Sequence, residues 1–177
     1  GADHHGYIPR LRAAIQALGY QSGQLECPLV QMVSIQRDGR KDKMTTRGGI
    51  YITLKEVIED IGPDVTRFLF LTRSPDSQMT FDFDVARDTS MDNPLYYVQY
   101  AHARCSSIRS KARESGLDPD SFGEADLLGL DRSEEKAIVR QMDRLPHVVI
   151  QAVHEIDPMP MTVYLRDLAT SFHSYYS

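Results

Sequence analysis

Lys43-Met44-Thr45-Thr46-Arg47-Gly48-Gly49 gathers two cations, two hydroxyls and a glycine pair between a strand-like run and a capped helix. A basic, glycine-ended loop beside a helix is one way to hold a polyphosphate, because a cation there offsets charge developing on a transferring phosphoryl group. The same composition also suits a solvated basic turn. The opening block, Gly1-Ala2-Asp3-His4-His5-Gly6-Tyr7-Ile8-Pro9-Arg10, brings an aspartate and two histidines to a helix entrance. Such a group could bind ribose or a carboxylate-bearing ligand, and Asp3 alone could cap the helix. Adjacent His4 and His5 cannot face one ion from a single helical face, and no third histidine is near, so no metal is expected. A third block, Asn93-Pro94-Leu95-Tyr96-Tyr97-Val98-Gln99-Tyr100-Ala101-His102-Ala103-Arg104, could stack bases on its tyrosines or pack them as core with hydroxyls reaching partners.

Charge narrows the choice of partner. The 177 residues carry a net charge of −5, which argues against wholesale coating of nucleic acid. The balance is uneven: residues 1–77 sum to +1 and residues 78–177 to −6. Two local positive runs interrupt it, Arg37 to Gly49 with five basic and two acidic residues, and Arg104 to Arg113 with four basic and none acidic. Such runs permit selective, salt-sensitive phosphate contacts, or are simply solvated surface. No apolar run approaches the roughly 18 residues of a membrane span, and residues 1–12 do not read as a signal peptide. Cys27 and Cys105 lack metal or redox spacing and read as buried thiols in a reducing compartment, so the cytoplasm is expected.

The elements that must position these blocks follow from pattern. Pro9 and Gly19 bracket a helix over about residues 6–18 with Ile8, Leu11, Ile15 and Leu18 on one face. Residues 28–35 read as a strand, and Arg37-Asp38-Gly39-Arg40 as a turn. Thr53-Leu54-Lys55-Glu56 is a capping-box pattern opening a helix that carries Leu54, Val57, Ile58 and Ile61 inward and ends at Gly62. A second short helix is expected over 64–72, and the polar stretch 73–79 marks a domain boundary, giving 1–76 and 77–177. Beyond it the pattern is helical almost throughout. Asn93 caps a long helix to about residue 112, whose stripe is Leu95, Val98, Ala101, His102, Cys105 and Ile108. A capping box at Asp131 to Glu134 starts another helix with Ala137, Ile138 and Met142. Pro146 restarts one carrying Val149, Ala152, Val153 and Ile156. Asp157 to Pro160 breaks the pattern, and 163–176 forms the last helix. The expected class is mainly α: a small α/β remnant followed by an antiparallel helix bundle.

Taken in order, the three blocks resemble the second half of class I arginyl-tRNA synthetases. Val65-Thr66-Arg67-Phe68, Arg73-Ser74-Pro75-Asp76-Ser77 and the later pattern through Tyr164, Phe172, His173, Tyr175 and Tyr176 extend the resemblance over nearly the whole chain. It implies that Lys43, Met44 and Thr45 match the Lys-Met-Ser-Lys loop that holds ATP phosphates as the adenylate forms. Thr46 stands where the second lysine belongs, with Arg47 following, and Arg47 or Arg40 could supply the lost charge. It implies that Asp3, His4 and His5 line the arginine and adenylate pocket, and that the segment from Tyr96 begins a helical anticodon-binding domain. Tyr97, Tyr100, Arg104, Arg109, Lys111 and Arg113 are then candidates for tRNA contacts. The implied partners are tRNA-Arg, arginine and ATP with Mg2+ as substrate, with no tightly bound cofactor and no membrane.

No His-x-Gly-His, the family's other signature, occurs in these residues. The expectation is therefore a piece of such a ligase, catalytically incomplete alone, with self-association through apolar faces of the first helix and strand. The alternative is a non-catalytic helical module binding RNA or protein, derived from a synthetase. A cysteinyl-type synthetase is a weaker rival, because its zinc-binding cysteines have no counterpart.

Overall fold

The structure is a computed structural model and describes residues 1–41, 51–121 and 123–176. It is mainly α with one small sheet. β1 (Val33–Arg37) pairs antiparallel with β2 (Arg40–Lys41) and parallel with β3 (Met79–Asp82), in the order β2-β1-β3. The two-residue turn between β1 and β2 puts Asp38 at φ 48° and Gly39 at φ 70°, the left-handed pair that a tight hairpin needs and that Asp-Gly supplies. The register sets Ile35 against Phe81 and Gln36 against Asp82, and Gln36 Nε2 donates to Asp82 Oδ2 at 2.7 Å. The strand expected over 28–35 begins only at Val33. A strand needs a ladder neighbour, and β3 supplies one only from Met79 onward. Before that, Val30 O accepts from Ala2 N at 2.9 Å and Gln31 N donates to Pro75 O at 2.8 Å, while Val30 and Met32 stay exposed.

Parallel pairing of β1 and β3 requires a crossover, which holds α2 (Leu54–Ile61) and α3 (Pro63–Leu71). The Thr53 box is present: Glu56 N donates to Thr53 Oγ1 at 3.2 Å, and Thr53 N donates back to Glu56 Oε2 at 2.6 Å. Gly62 turns the chain between the two helices at φ 91°, where a side chain would be strained. Of the four α2 residues expected inward, only Val57 is buried. Leu54 is 59% exposed and Ile58 37%, because α2 meets α3 and the short α4 (Phe83–Arg87) on one narrow edge. The core collects Ile35, Val57, Val65, Leu69, Phe81, Phe83, Ala86 and Leu95. It draws on both sides of the boundary expected at 76/77, since β3 lies just beyond that line, in a stretch read as helical.

The remaining helices pack about α9 (Met159–Tyr176), which contacts α3, α5 (Pro94–Glu114), α7 (Ser133–Asp143) and α8 (Leu145–Glu155). A single turn, α6 (Glu124–Leu127), lies between α5 and α7. Fully buried Asn93 joins the sheet region to the bundle: its Nδ2 donates to the carbonyls of Val85, Ala86 and Asp88, and its Oδ1 caps Leu95 N at 3.0 Å. Thr162 Oγ1 adds a bond to Leu71 O at 3.2 Å, pinning α9 to the end of α3.

Several boundaries differ from the sequence pattern. The α7 box sits one residue later than expected, with Glu135 Oε2 accepting from Arg132 N at 3.1 Å. α9 begins at Met159, not 163, because Asp157 Oδ1 caps Met159 N at 2.9 Å and Pro160 is tolerated in a first turn. On α8, Val149 and Val153 are exposed, as is Ile156 just past its end, and on α5 so is Ile108. Cys105 is exposed and Cys27 half-buried, so neither thiol is sealed in a core.

A 3-10 turn (Ala2–Tyr7) and α1 (Ile8–Ala17) open the chain, and no residue of either is buried. Leu11 is 49% and Leu18 75% exposed, consistent with the expectation that this helix shows its apolar face. Among the described residues no helix is long and apolar enough to cross a membrane.

Candidate nucleic-acid interface

The α5–α9 seam assembles three of the predicted contacts. Tyr97, Tyr100 and Arg104 recur at helical spacing, so they share a face of α5, and α9 presents His173 to it. His173 is buried; its Nε2 lies 3.2 Å from the Tyr97 carbonyl, which can only accept, so Nε2 carries the proton. Nδ1 then accepts from Arg104 Nη1 at 3.4 Å. The Tyr97 ring meets the imidazole edge-on at 4.8 Å, and the Tyr100 ring stacks on it at 5.7 Å. The Arg104 guanidinium lies over Tyr100 at 4.4 Å and over Tyr176 at 5.1 Å, while Tyr97 OH donates to Thr170 Oγ1 at 3.2 Å. Arg104 is thereby oriented by aromatic faces; Tyr100 (41% exposed) and Tyr176 (45%) meet solvent, while Tyr97 and Arg104 are half-buried.

Two of the other three candidates, Arg109 and Arg113, belong to a second place. Arg109 and Arg113, four residues apart, are on a different face of α5 from Arg104 and Lys111, seven apart. The run that reads as one patch in sequence is therefore split by helical geometry. Arg109 and Arg113 both grip Asp120: Arg113 Nη2 lies 2.9 Å from Oδ2, and Arg109 Nη2 bonds Oδ1. Those bonds, that of Arg109 first, hold the Asp120 carboxyl below the ordinary aspartate range. Lys111 is exposed. Asp120 was not singled out from the sequence; the signal available was an Asp-Pro-Asp turn just after a basic helix end.

The N-terminal trio is brought together only loosely. Asp3, His4 and His5 are exposed on the opening 3-10 turn, with His5 Nδ1 3.2 Å from Ala2 O and the His4 ring edge-on to Tyr7 at 5.9 Å. No side chain caps this turn or α1, so Asp3 does not serve as the cap. Among the described residues no group of three or more His, Cys, Asp or Glu is placed to hold a metal. Lys43, Met44, Thr45, Thr46 and Arg47 lie outside the described residues. What precedes them is described: the Arg37 guanidinium covers the Phe83 ring at 4.0 Å, and Arg87 approaches the same ring at 5.4 Å while bonding Asp60 at 2.6 Å. The hydrogen bond to Asp60 raises the Arg87 pKa further, so Arg87 stays charged.

Residues 98–177, which include Tyr100, Arg104 and His173 of the α5–α9 seam but not Tyr97, match the DALR anticodon binding domain. Over all 177 residues the chain is also 45% identical to an arginine–tRNA ligase of Citrifermentans bemidjiense and 46% identical to one of Listeria welshimeri. It spans about a third of the length of those relatives, 32% of each. A solved chain described as an arginyl-tRNA synthetase of Campylobacter jejuni superposes with a TM-score of 0.84 at 37% identity, covering 99% of this chain and 38% of its own. The Thermus thermophilus arginyl-tRNA synthetase shares the fold at a TM-score of 0.67 and 24% identity, covering 96% of this chain and 31% of its own. The DALR region thus begins inside α5 and takes in the Tyr97-paired seam from Val98 onward, while the sheet and its crossover helices stand before it.

Proposed function

We propose that this chain is the tRNA-facing part of a cytoplasmic arginine–tRNA ligase, with the DALR region docking tRNA-Arg and residues 1–76 belonging to the catalytic side. The single observation that supports this reading is the match of residues 98–177 to an anticodon-binding domain within a chain similar throughout to arginine–tRNA ligases. In the whole enzyme, Lys43, Thr45 and Arg47 would meet the phosphates of Mg2+-bound ATP, and Asp3, His4 and His5 would line the arginine and adenylate pocket. Tyr100, Tyr176 and the exposed cations of α5 would face RNA, stacking and neutralising charge as single-strand binders do. The 177 residues alone bind tRNA and do not activate arginine, since they contain no His-x-Gly-His.

Fluorescence anisotropy with labelled tRNA-Arg and a non-cognate tRNA, run beside arginine-dependent ATP–pyrophosphate exchange, tests both halves. Salt-sensitive binding that favours tRNA-Arg, with no exchange, is the expected result. Failure to bind any tRNA would sink the docking role, and measurable exchange would sink the claim of inactivity.

A further inference from the structure

The Arg109–Arg113–Asp120 contact has features of an anion site occupied from within. Two guanidinium groups converge on one carboxylate, and an arginine fork that fits a carboxylate fits a phosphate as well. The turn carrying Asp120 does not depend on that contact. Asp118 Oδ1 accepts from Asp120 N at 3.0 Å, and Ser121 N and Oγ both donate to Asp118 O, at 3.2 and 2.9 Å. All three charged side chains are about half exposed, at 49%, 55% and 56%, so solvent and salt screen the contact and it opens at little cost. Asp120 remains ionised at neutral pH beside the two cations.

We propose that Asp120 competes with an RNA backbone phosphate for the Arg109–Arg113 pair. It is an internal anion that lowers non-specific affinity, so that only RNA held elsewhere on the bundle displaces it. The inference rests on the tRNA-docking reading above. Exchange leaves the charge facing the arginines unchanged, releases counterions from the RNA and returns the Asp120 carboxylate to water.

Asp120→Asn tests this, since it keeps size and removes charge. In the 177-residue chain, Asp120→Asn should bind tRNA-Arg roughly three- to tenfold tighter, with a salt dependence steeper by about one ion. Adding Arg109→Gln and Arg113→Gln should cancel the gain. A second arm follows the arginine Nε–Hε NMR signals of Arg109 and Arg113 during titration with inorganic tripolyphosphate, where half-saturation should fall by a similar factor in Asp120→Asn. If tRNA binds the wild-type chain and Asp120→Asn binds it no tighter, the competition is wrong. An unchanged tripolyphosphate half-saturation overturns it as well. If no variant binds tRNA but the tripolyphosphate shift appears, phosphate competition stands and the tRNA-docking reading alone falls.

Discussion

Phe83 and Leu11 are both large apolar side chains near the start of a helix, and their surroundings differ completely. Phe83 has no exposed surface: the Phe81 ring meets it edge-on at 5.5 Å, and the Arg37 guanidinium covers its face at 4.0 Å. Leu11 is 49% exposed on a helix with no buried residue. The five-residue α4 is anchored because β1, α2 and α3 surround it; the ten-residue α1 is not, because among the described residues its main contacts are two short 3-10 turns, Ala2–Tyr7 and Ser22–Gln24. An apolar face in a pattern says which side wants cover. Whether it is covered depends on the element opposite.

Substitution at the two positions gives the widest contrast. Phe83→Ala should cost about 3–5 kcal/mol in urea unfolding, through lost transfer energy and the cavity left behind. Leu11→Ala should stay within about 0.5 kcal/mol, as surface changes do. Equal effects would mean that α1 is buttressed in solution by contacts this arrangement lacks.

Asn93 comes next. It lies in the closed region, and its amide donates to three carbonyls at once while its oxygen caps α5. Asn93→Ala should cost about 2–3 kcal/mol, combining a lost cap with buried carbonyls left short of a donor. Asn93→Asp keeps the acceptor and loses the donor, so melting of the pair apportions the two. If Asn93→Asp were neutral, the carbonyl contacts would carry no stability.

The open region should reveal itself in association rather than unfolding. Tyr7, Leu18, Tyr20, Val30 and Met32 are all more than half exposed, and large apolar exposure invites contact. Sedimentation of the 177-residue chain at increasing concentration should show self-association. Leu18→Lys with Met32→Lys should weaken it about tenfold, which is about 1.4 kcal/mol. A strictly monomeric wild type at high concentration would refute this.

The same contrast explains what the sequence disclosed. Local chemistry was legible: the Thr53–Glu56 box, the Asp38-Gly39 turn, the Asn93 cap followed by Pro94, and the Gly62 break each follow from one or two residues with a fixed conformational preference. Partnership was not. Val30 and Met32 have strand-like spacing but no ladder neighbour among the described residues, while Met79–Asp82 is a strand because β1 lies beside it. Val149 and Val153 fit an inward stripe, yet nothing among the described residues covers them. In the candidate interface, Tyr97, Tyr100 and Arg104 are candidates that the family resemblance implies. Their convergence on His173, and the diversion of Arg109 and Arg113 to Asp120, depend on which face of α5 each occupies and on a turn several residues away.

The smallest effect separates a capped helix from an uncapped one. Thr53 N and then the Thr53 hydroxyl bond the Glu56 carboxylate, at 2.6 and 2.8 Å, and hold its pKa below the ordinary glutamate value. Its folded-state pKa lies below its unfolded one, so this contribution is present above the unfolded value and is lost as pH falls through the folded one. Asp88, bonded by Ser90, and Glu135, bonded first by Tyr175 OH and then by Arg132 N, have the same sign. Stability should therefore decline as pH drops from neutral through the usual carboxylate range. Thr53→Ala removes the cap at a cost of about 1 kcal/mol near neutral pH. Its melting curve should approach that of the wild type on acidification, because protonated Glu56 no longer gains from the hydroxyl. α1 has no side-chain cap to lose. If the Thr53→Ala offset were constant with pH, the hydroxyl–carboxylate bond would contribute nothing to the α2 cap.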